Sequence, residues 1–170
     1  MKKVISGIKK YTPYVLLLLG IWIVVTFFIA GGIKTSEKVM NPSLPAEQYH
    51  FTIFQLMFGK GFRVLGENKI YFRPNFFGFT IIIPLISGLI IATINKINYK
   101  TRHLLAGMLL LISGLSLFLL PANAQLGYGW NDRLSVVVTG GAALIVAGTL
   151  ILVFSLINFL LIFLADKKVN

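Results

Sequence analysis

Few residues in this chain have the type and spacing to do chemistry. Glu47-x-x-His50 has the i, i+3 interval at which two side chains on one helix face share a metal ion. A catalytic metal normally takes about three protein ligands, and the other histidine, His103, lies far along the chain. Asp132-Arg133, beside Trp130, reads as a local ion pair or a helix start. Ser87, Ser113, Ser116, Ser135 and Ser155 fall in apolar runs with no histidine or lysine at matching depth to activate them, as a serine nucleophile requires. Gly140-Gly141 also sits in an apolar run, so it does not read as a phosphate loop following a strand. With no cysteine, thiol catalysis, disulfides and thiolate metal sites are excluded. The expectation is a non-enzymatic protein with no catalytic residue, no metal site and no cofactor.

Composition says which elements would position any such group. Of 170 residues, 56% are hydrophobic and 12% charged, about half the charge of a soluble domain, in which about 25% is usual. A length that would suit one soluble domain instead holds about four crossings, at roughly 20 apolar residues each. The formal charge of +11 could suggest nucleic acid, but a nucleic-acid surface gathers its cations in one patch. Here they flank the apolar runs, which is the pattern of membrane topology. Nucleic acid is therefore excluded as a partner.

In order, the spans read as about 14–33, 76–95, 102–120 and 134–165. The basic head (Lys2, Lys3, Lys9, Lys10) precedes an apolar run too long for a signal-peptide core, so the first span reads as uncleaved. Lys96, Lys100, Arg102 and His103 form a short basic connector. Thr101 is a candidate N-cap for the third span, which Pro121 would stop. The fourth run is longer than the hydrocarbon needs, so it tilts or projects. Lys2, Lys3, Lys9, Lys10, Lys96, Lys100, Arg102, Lys167 and Lys168 concentrate cations in three short segments with one acid, Asp166. Those segments read as cytoplasmic, which puts both termini inside a plasma membrane.

The segment 34–73 would then be outside, as a loop subdomain. Phe62-Arg63-Val64-Leu65 and Lys69-Ile70-Tyr71-Phe72, separated by Gly66-Glu67-Asn68, read as a hairpin. Phe51–Phe58 has strand character, with a short interfacial helix as the alternative. The fold class expected is all-α transmembrane: a four-helix bundle with a small β-rich extracellular cap formed by the first outer loop.

With Arg102 and His103 assigned to the connector, the spans read as free of charged residues and histidine. That disfavours proton-coupled transport, which places ionisable groups at membrane depth. Small residues recur instead at helix-packing intervals: Gly88 and Ala92 in the second span, Gly107 and Gly114 in the third, Thr139, Gly141, Ala143, Ala147 and Gly148 in the fourth. Such residues let helix backbones approach closely where no hydrophobic drive operates between helices. Pro84 is a possible kink in the second span. In the outer loop, Phe54, Leu56, Met57 and Phe58 are too apolar to stand in water together. They either pack on the span ends or, with Arg63 and Arg73, form a partner-binding surface.

A basic start, one span, an outer loop carrying Phe54-Gln55-Leu56-Met57-Phe58-Gly59, then three spans with a short basic connector resembles small four-span membrane proteins of Gram-positive bacteria and mollicutes. The layout is also similar to claudin-type tetraspan proteins. The loop tryptophan and paired cysteines of claudins are absent, so the architecture alone carries over. The resemblance implies a scaffold, a structural or accessory subunit whose outer loop contacts another membrane or surface protein or its own copies, with membrane lipids around it. The alternative is a small channel or transporter subunit with a neutral path.

Overall fold

The computed structural model describes residues 2–29, 31–38, 48–59, 61–63, 70–72, 76–128, 135–139 and 141–166, with side chains described at 7, 10–29, 52–59, 76–123 and 141–163. Helix dominates. The order is α1 (Lys2–Ile29), β1 (Gly31–Lys38), β2 (Gln48–Thr52), α2 (Ile53–Phe58), β3 (Gly61–Arg63), β4 (Ile70–Phe72), α3 (Phe79–Thr93), α4 (Tyr99–Tyr128), β5 (Ser135–Thr139) and α5 (Ala142–Asp166). Three segments, Lys10–Ile29, Tyr99–Asn123 and Ala142–Phe163, are long and apolar enough to cross a membrane. The chain is a membrane protein on that ground. Helix α3, at 15 residues, is about 22 Å long at about 1.5 Å per residue, short of the roughly 30 Å of hydrocarbon.

Several span boundaries need correction. The first helix ends at Ile29, and Gly31–Ile33 belongs to β1. Helix α4 does not stop at Pro121 but runs through it to Tyr128. Helices at membrane depth tolerate proline, because neighbouring side chains and local adjustments re-satisfy the freed carbonyl. Nor does Thr101 cap α4. Asn98 does, its Oδ1 accepting from the Lys100 amide at 3.0 Å, while its carbonyl accepts from the Arg102 amide at 2.8 Å. The apolar run from Leu134 is divided between β5 and α5. Valine-rich Ser135–Thr139 suits a pleated strand, and the helix starts after Gly140-Gly141.

Helix α4 is the centre of the packing, with α5 on one side and α3 on the other, and α1 leans mainly on α3. Successive partners run antiparallel. On α3 and α4, Ser113 meets Ile81 while Gly88 meets Ala106 and Leu110. On α4 and α5, Gly107 meets Phe159 while Gly148 meets Phe118. The buried core joins all of them through Leu16, Ile23, Phe27, Leu85, Leu110, Leu117, Leu144 and Ile151.

The strands fall into two sheets. One has the order β2-β1-β5 and the other pairs β3 with β4. In the first, antiparallel pairing sets Lys34 opposite both His50 and Thr139, so the segment after α1 is tied to the one before α5. In the second, Phe62 faces Tyr71 across an antiparallel pair.

Of the run Phe51–Phe58, Ile53–Phe58 is the helix α2 rather than a strand. Thr52 Oγ1 accepts from the Gln55 amide at 3.2 Å, and Gln55 Oε1 accepts from the Thr52 amide at 3.1 Å. This reciprocal capping box satisfies two amides that a helix start leaves open. Gly59 ends the turn at φ 97°, a backbone conformation that favours glycine.

Candidate functional site

The polar chemistry among the described residues gathers where α3 ends and α4 begins. Arg102 and His103 lie in the first turns of α4 and are 7% and 0% exposed. This corrects the reading of those residues as a solvated connector and of the spans as empty of ionisable groups. They turn inward because they continue the stripe of Ala106, Gly107, Leu110, Ser113, Gly114 and Leu117 that α4 buries at three- and four-residue spacing.

The hydrogen bonds form one directional chain. Asn158 of α5, fully buried, donates from Nδ2 to the Phe154 carbonyl at 2.9 Å. That fixes its Oδ1 as the acceptor facing His103 Nδ1, 2.8 Å away. His103 Nδ1 therefore carries a proton, which leaves Nε2 as the acceptor for Arg102 Nη2 at 3.4 Å. The other arm of the guanidinium, Nη1, donates to the Ile94 carbonyl at 3.1 Å and to Asn95 Oδ1 at 2.9 Å. Tyr99 completes the cluster, its ring 4.5 Å from that of His103 and 5.2 Å from the guanidinium carbon. Among the described residues two buried side-chain atoms have no hydrogen-bond partner: the Tyr99 hydroxyl and Arg102 Nε.

Two serines repeat the theme along the helices. Ser113 donates to the Ile81 carbonyl of α3 at 2.8 Å, and Ser155 donates to the Gly107 carbonyl of α4 at 2.7 Å. Each hydroxyl is spent on a carbonyl of a neighbouring helix. Among the described residues no group of three or more His, Cys, Asp or Glu stands together to hold a metal. His50 sits in β2 opposite Lys34, not on a helix, and Glu47 lies outside the described residues. Asp132-Arg133 also lies outside them.

The small residues are mostly at helix contacts. A Cβ on Gly88 would lie 3.2 Å from the Ala106 carbonyl oxygen, and one on Gly107 2.7 Å from the Phe159 ring. On Gly114 it would lie 2.7 Å from Leu152, and on Gly148 2.8 Å from Phe118. Ala92 and Ala147 are buried and Ala143 is partly buried against the core. Thr139 and Gly141 are corrections, since the first ends β5 and the second precedes α5. The sequence reading missed Gly20, where an added Cβ would collide with Leu89, and Gly78, described below.

The outer-loop residues behave differently from a free docking surface. Leu56 and Met57 are 1% and 0% exposed, with Ile53 buried beside them. Phe54 stacks on Phe28 of α1 at 4.4 Å and lies 4.9 Å from Phe58, which meets Phe79 of α3 edge-on at 5.2 Å. Helix α2 is thus a plug between the end of α1 and the start of α3. Arg63 lies in β3, and Arg73 falls outside the described residues.

The missed residue is Asn158. One amide in a long apolar run is a visible signal, since such groups are placed where another helix can bond them. Its partner is 55 positions away, which spacing does not reveal. No protein-family model matches the chain, and no curated protein matches it.

Proposed function

We propose that the chain is a non-enzymatic integral membrane protein, a structural or accessory subunit that assembles with another membrane or surface protein or with its own copies. The observation that carries this reading is the use made of buried polar side chains. Ser113, Ser155, His103 and Asn158 are each bonded across or along helices, so the polar groups at depth serve cohesion. In this reading α1, α3, α4 and α5 form a four-span bundle, with residues 76–78 and 94–98 completing the short α3 crossing. Both termini are cytoplasmic, and β1–β5 with α2 make an extracellular cap. With Leu56 and Met57 covered by the chain itself, partner contact falls to the strand-bearing segments, among them β3, where Arg63 lies.

Co-purification of the full chain in mild detergent tests the reading. A second copy or another chain eluting with it is expected, and a monomer eluting alone would count against assembly. Ion or solute flux through the purified protein in proteoliposomes would replace it with the neutral-path alternative. The topology has its own test, because the chain has no cysteine. A single cysteine at Lys38 should label from outside intact cells, and one at Thr101 should not.

A further inference from the structure

Among the described side chains none is anionic, so none of them balances the charge of Arg102. The guanidinium stays protonated in proteins, its residue is 7% exposed, and each of its partners (the Ile94 carbonyl, Asn95 and His103) is neutral as bonded here. It lies in the first turn of α4, where the helix dipole is positive and disfavours a cation. Lys96, exposed in the connector before α4, adds positive charge to the same end of the helix. A buried charge without a counter-charge is unfavourable by several kcal/mol, which makes an anionic partner favourable at Arg102.

The geometry points to what would supply it. Arg102 Nε–H is unpartnered and buried. It lies on the same edge of the guanidinium as one Nη2 hydrogen, the fork that takes two oxygens of a phosphate or carboxylate at once. Nη2 is held only by a 3.4 Å contact to His103, so a stronger acceptor can displace it. The second orphan, the Tyr99 hydroxyl, belongs to the ring stacked on that guanidinium and can donate to the same anion.

We propose that Arg102 and Tyr99 form a binding site for one oxyanion, the phosphodiester of an anionic lipid, which enters at the junction of α3 and α4. This rests on the membrane reading above, since the end of a crossing helix lies at headgroup depth, where phosphates are abundant. Tyr99 is half-buried and gives the headgroup its route inward. With phosphate on the Nε/Nη2 edge, Arg102 keeps its Nη1 bonds to Ile94 and Asn95, so the bound headgroup ties the end of α3 to the start of α4.

Native mass spectrometry of the full chain in detergent tests this, with phosphatidylglycerol, phosphatidylcholine or inorganic phosphate added. One phosphatidylglycerol should stay bound under conditions that strip phosphatidylcholine. Arg102→Lys keeps the charge but loses the fork, and should weaken retention about tenfold. Tyr99→Phe keeps the ring and should weaken it about threefold while leaving the delipidated protein's melting temperature unchanged or higher. Equal retention of phosphatidylglycerol by both variants and the wild type would overturn the site. Inorganic phosphate displacing the lipid at equal concentration would overturn the lipid assignment. A carbonate wash separates the two readings: release of the chain from membranes sinks the membrane reading, and a retained chain without lipid selectivity sinks only this proposal.

Discussion

The two ends of the helices are joined by opposite means. Where α1 finishes and α3 starts, Ile53, Leu56 and Met57 sit between helices, flanked by the rings of Phe28, Phe54, Phe58 and Phe79. Among the described side chains its contacts are mainly apolar, beside the backbone bond from Gly78 to Met57 and the β2-β1-β5 ladder. Where α3 finishes and α4 starts, Arg102, His103, Asn95 and Asn158 are joined by hydrogen bonds across three helices. Apolar contact is non-directional, scales with area and needs close fit. Hydrogen bonds in apolar surroundings contribute modestly in net energy but fix which atom meets which. The first end therefore sets how tightly the helices close. The second sets their register.

That contrast orders the expected effects of mutation. The largest belongs to Gly78, whose added Cβ would lie 2.6 Å from Met57 Cβ and 2.8 Å from the Met57 carbonyl oxygen. That carbonyl also accepts from the Gly78 amide at 3.1 Å, so the backbone cannot withdraw without losing the bond. Gly78→Val should lower stability by about 3 kcal/mol or more, measured by unfolding in detergent or seen as loss of folded yield. Next, Met57→Ala should cost about 2–5 kcal/mol by leaving a cavity in the plug. A smaller loss there would mean that α2 collapses easily onto α1 and α3.

At the polar end the expected losses are smaller. Asn158→Leu removes the acceptor of His103 Nδ1 and should cost about 1–2 kcal/mol. Ser155→Ala removes one serine–carbonyl bond between α5 and α4 and should cost about 0.6 kcal/mol, the mean for interhelical bonds in membranes. If Ser155→Ala proved more damaging than Met57→Ala, the division between a tight apolar end and a register-setting polar end would fail.

The sequence made the apolar helices legible, because long uncharged runs flanked by cations have few other readings. Their limits were not. Ser135–Thr139 and Ala142–Phe163 are both apolar, and hydropathy does not distinguish a strand from a helix; the three valines and the Gly140-Gly141 pair are the local signals that do. In α2, Thr52-x-x-Gln55 with Gly59 after it marks a helix in a run where periodicity alone leaves strand and helix equal. In the sequence a short basic connector accounts for Arg102 and His103 without a partner. They nevertheless extend by one turn the stripe of Ala106, Gly107, Leu110 and Ser113 that α4 buries, and helical period alone turns them inward.

The account depends most on the contact between His103 and Asn158 being what holds α5 to α4 in register. A double-mutant cycle with His103→Leu and Asn158→Leu, read by unfolding of the full chain in detergent, tests it directly. The predicted result is a coupling energy of about 1 kcal/mol, the double variant being less destabilised than the two single losses added together. Losses that simply add, to within about 0.3 kcal/mol, would contradict it.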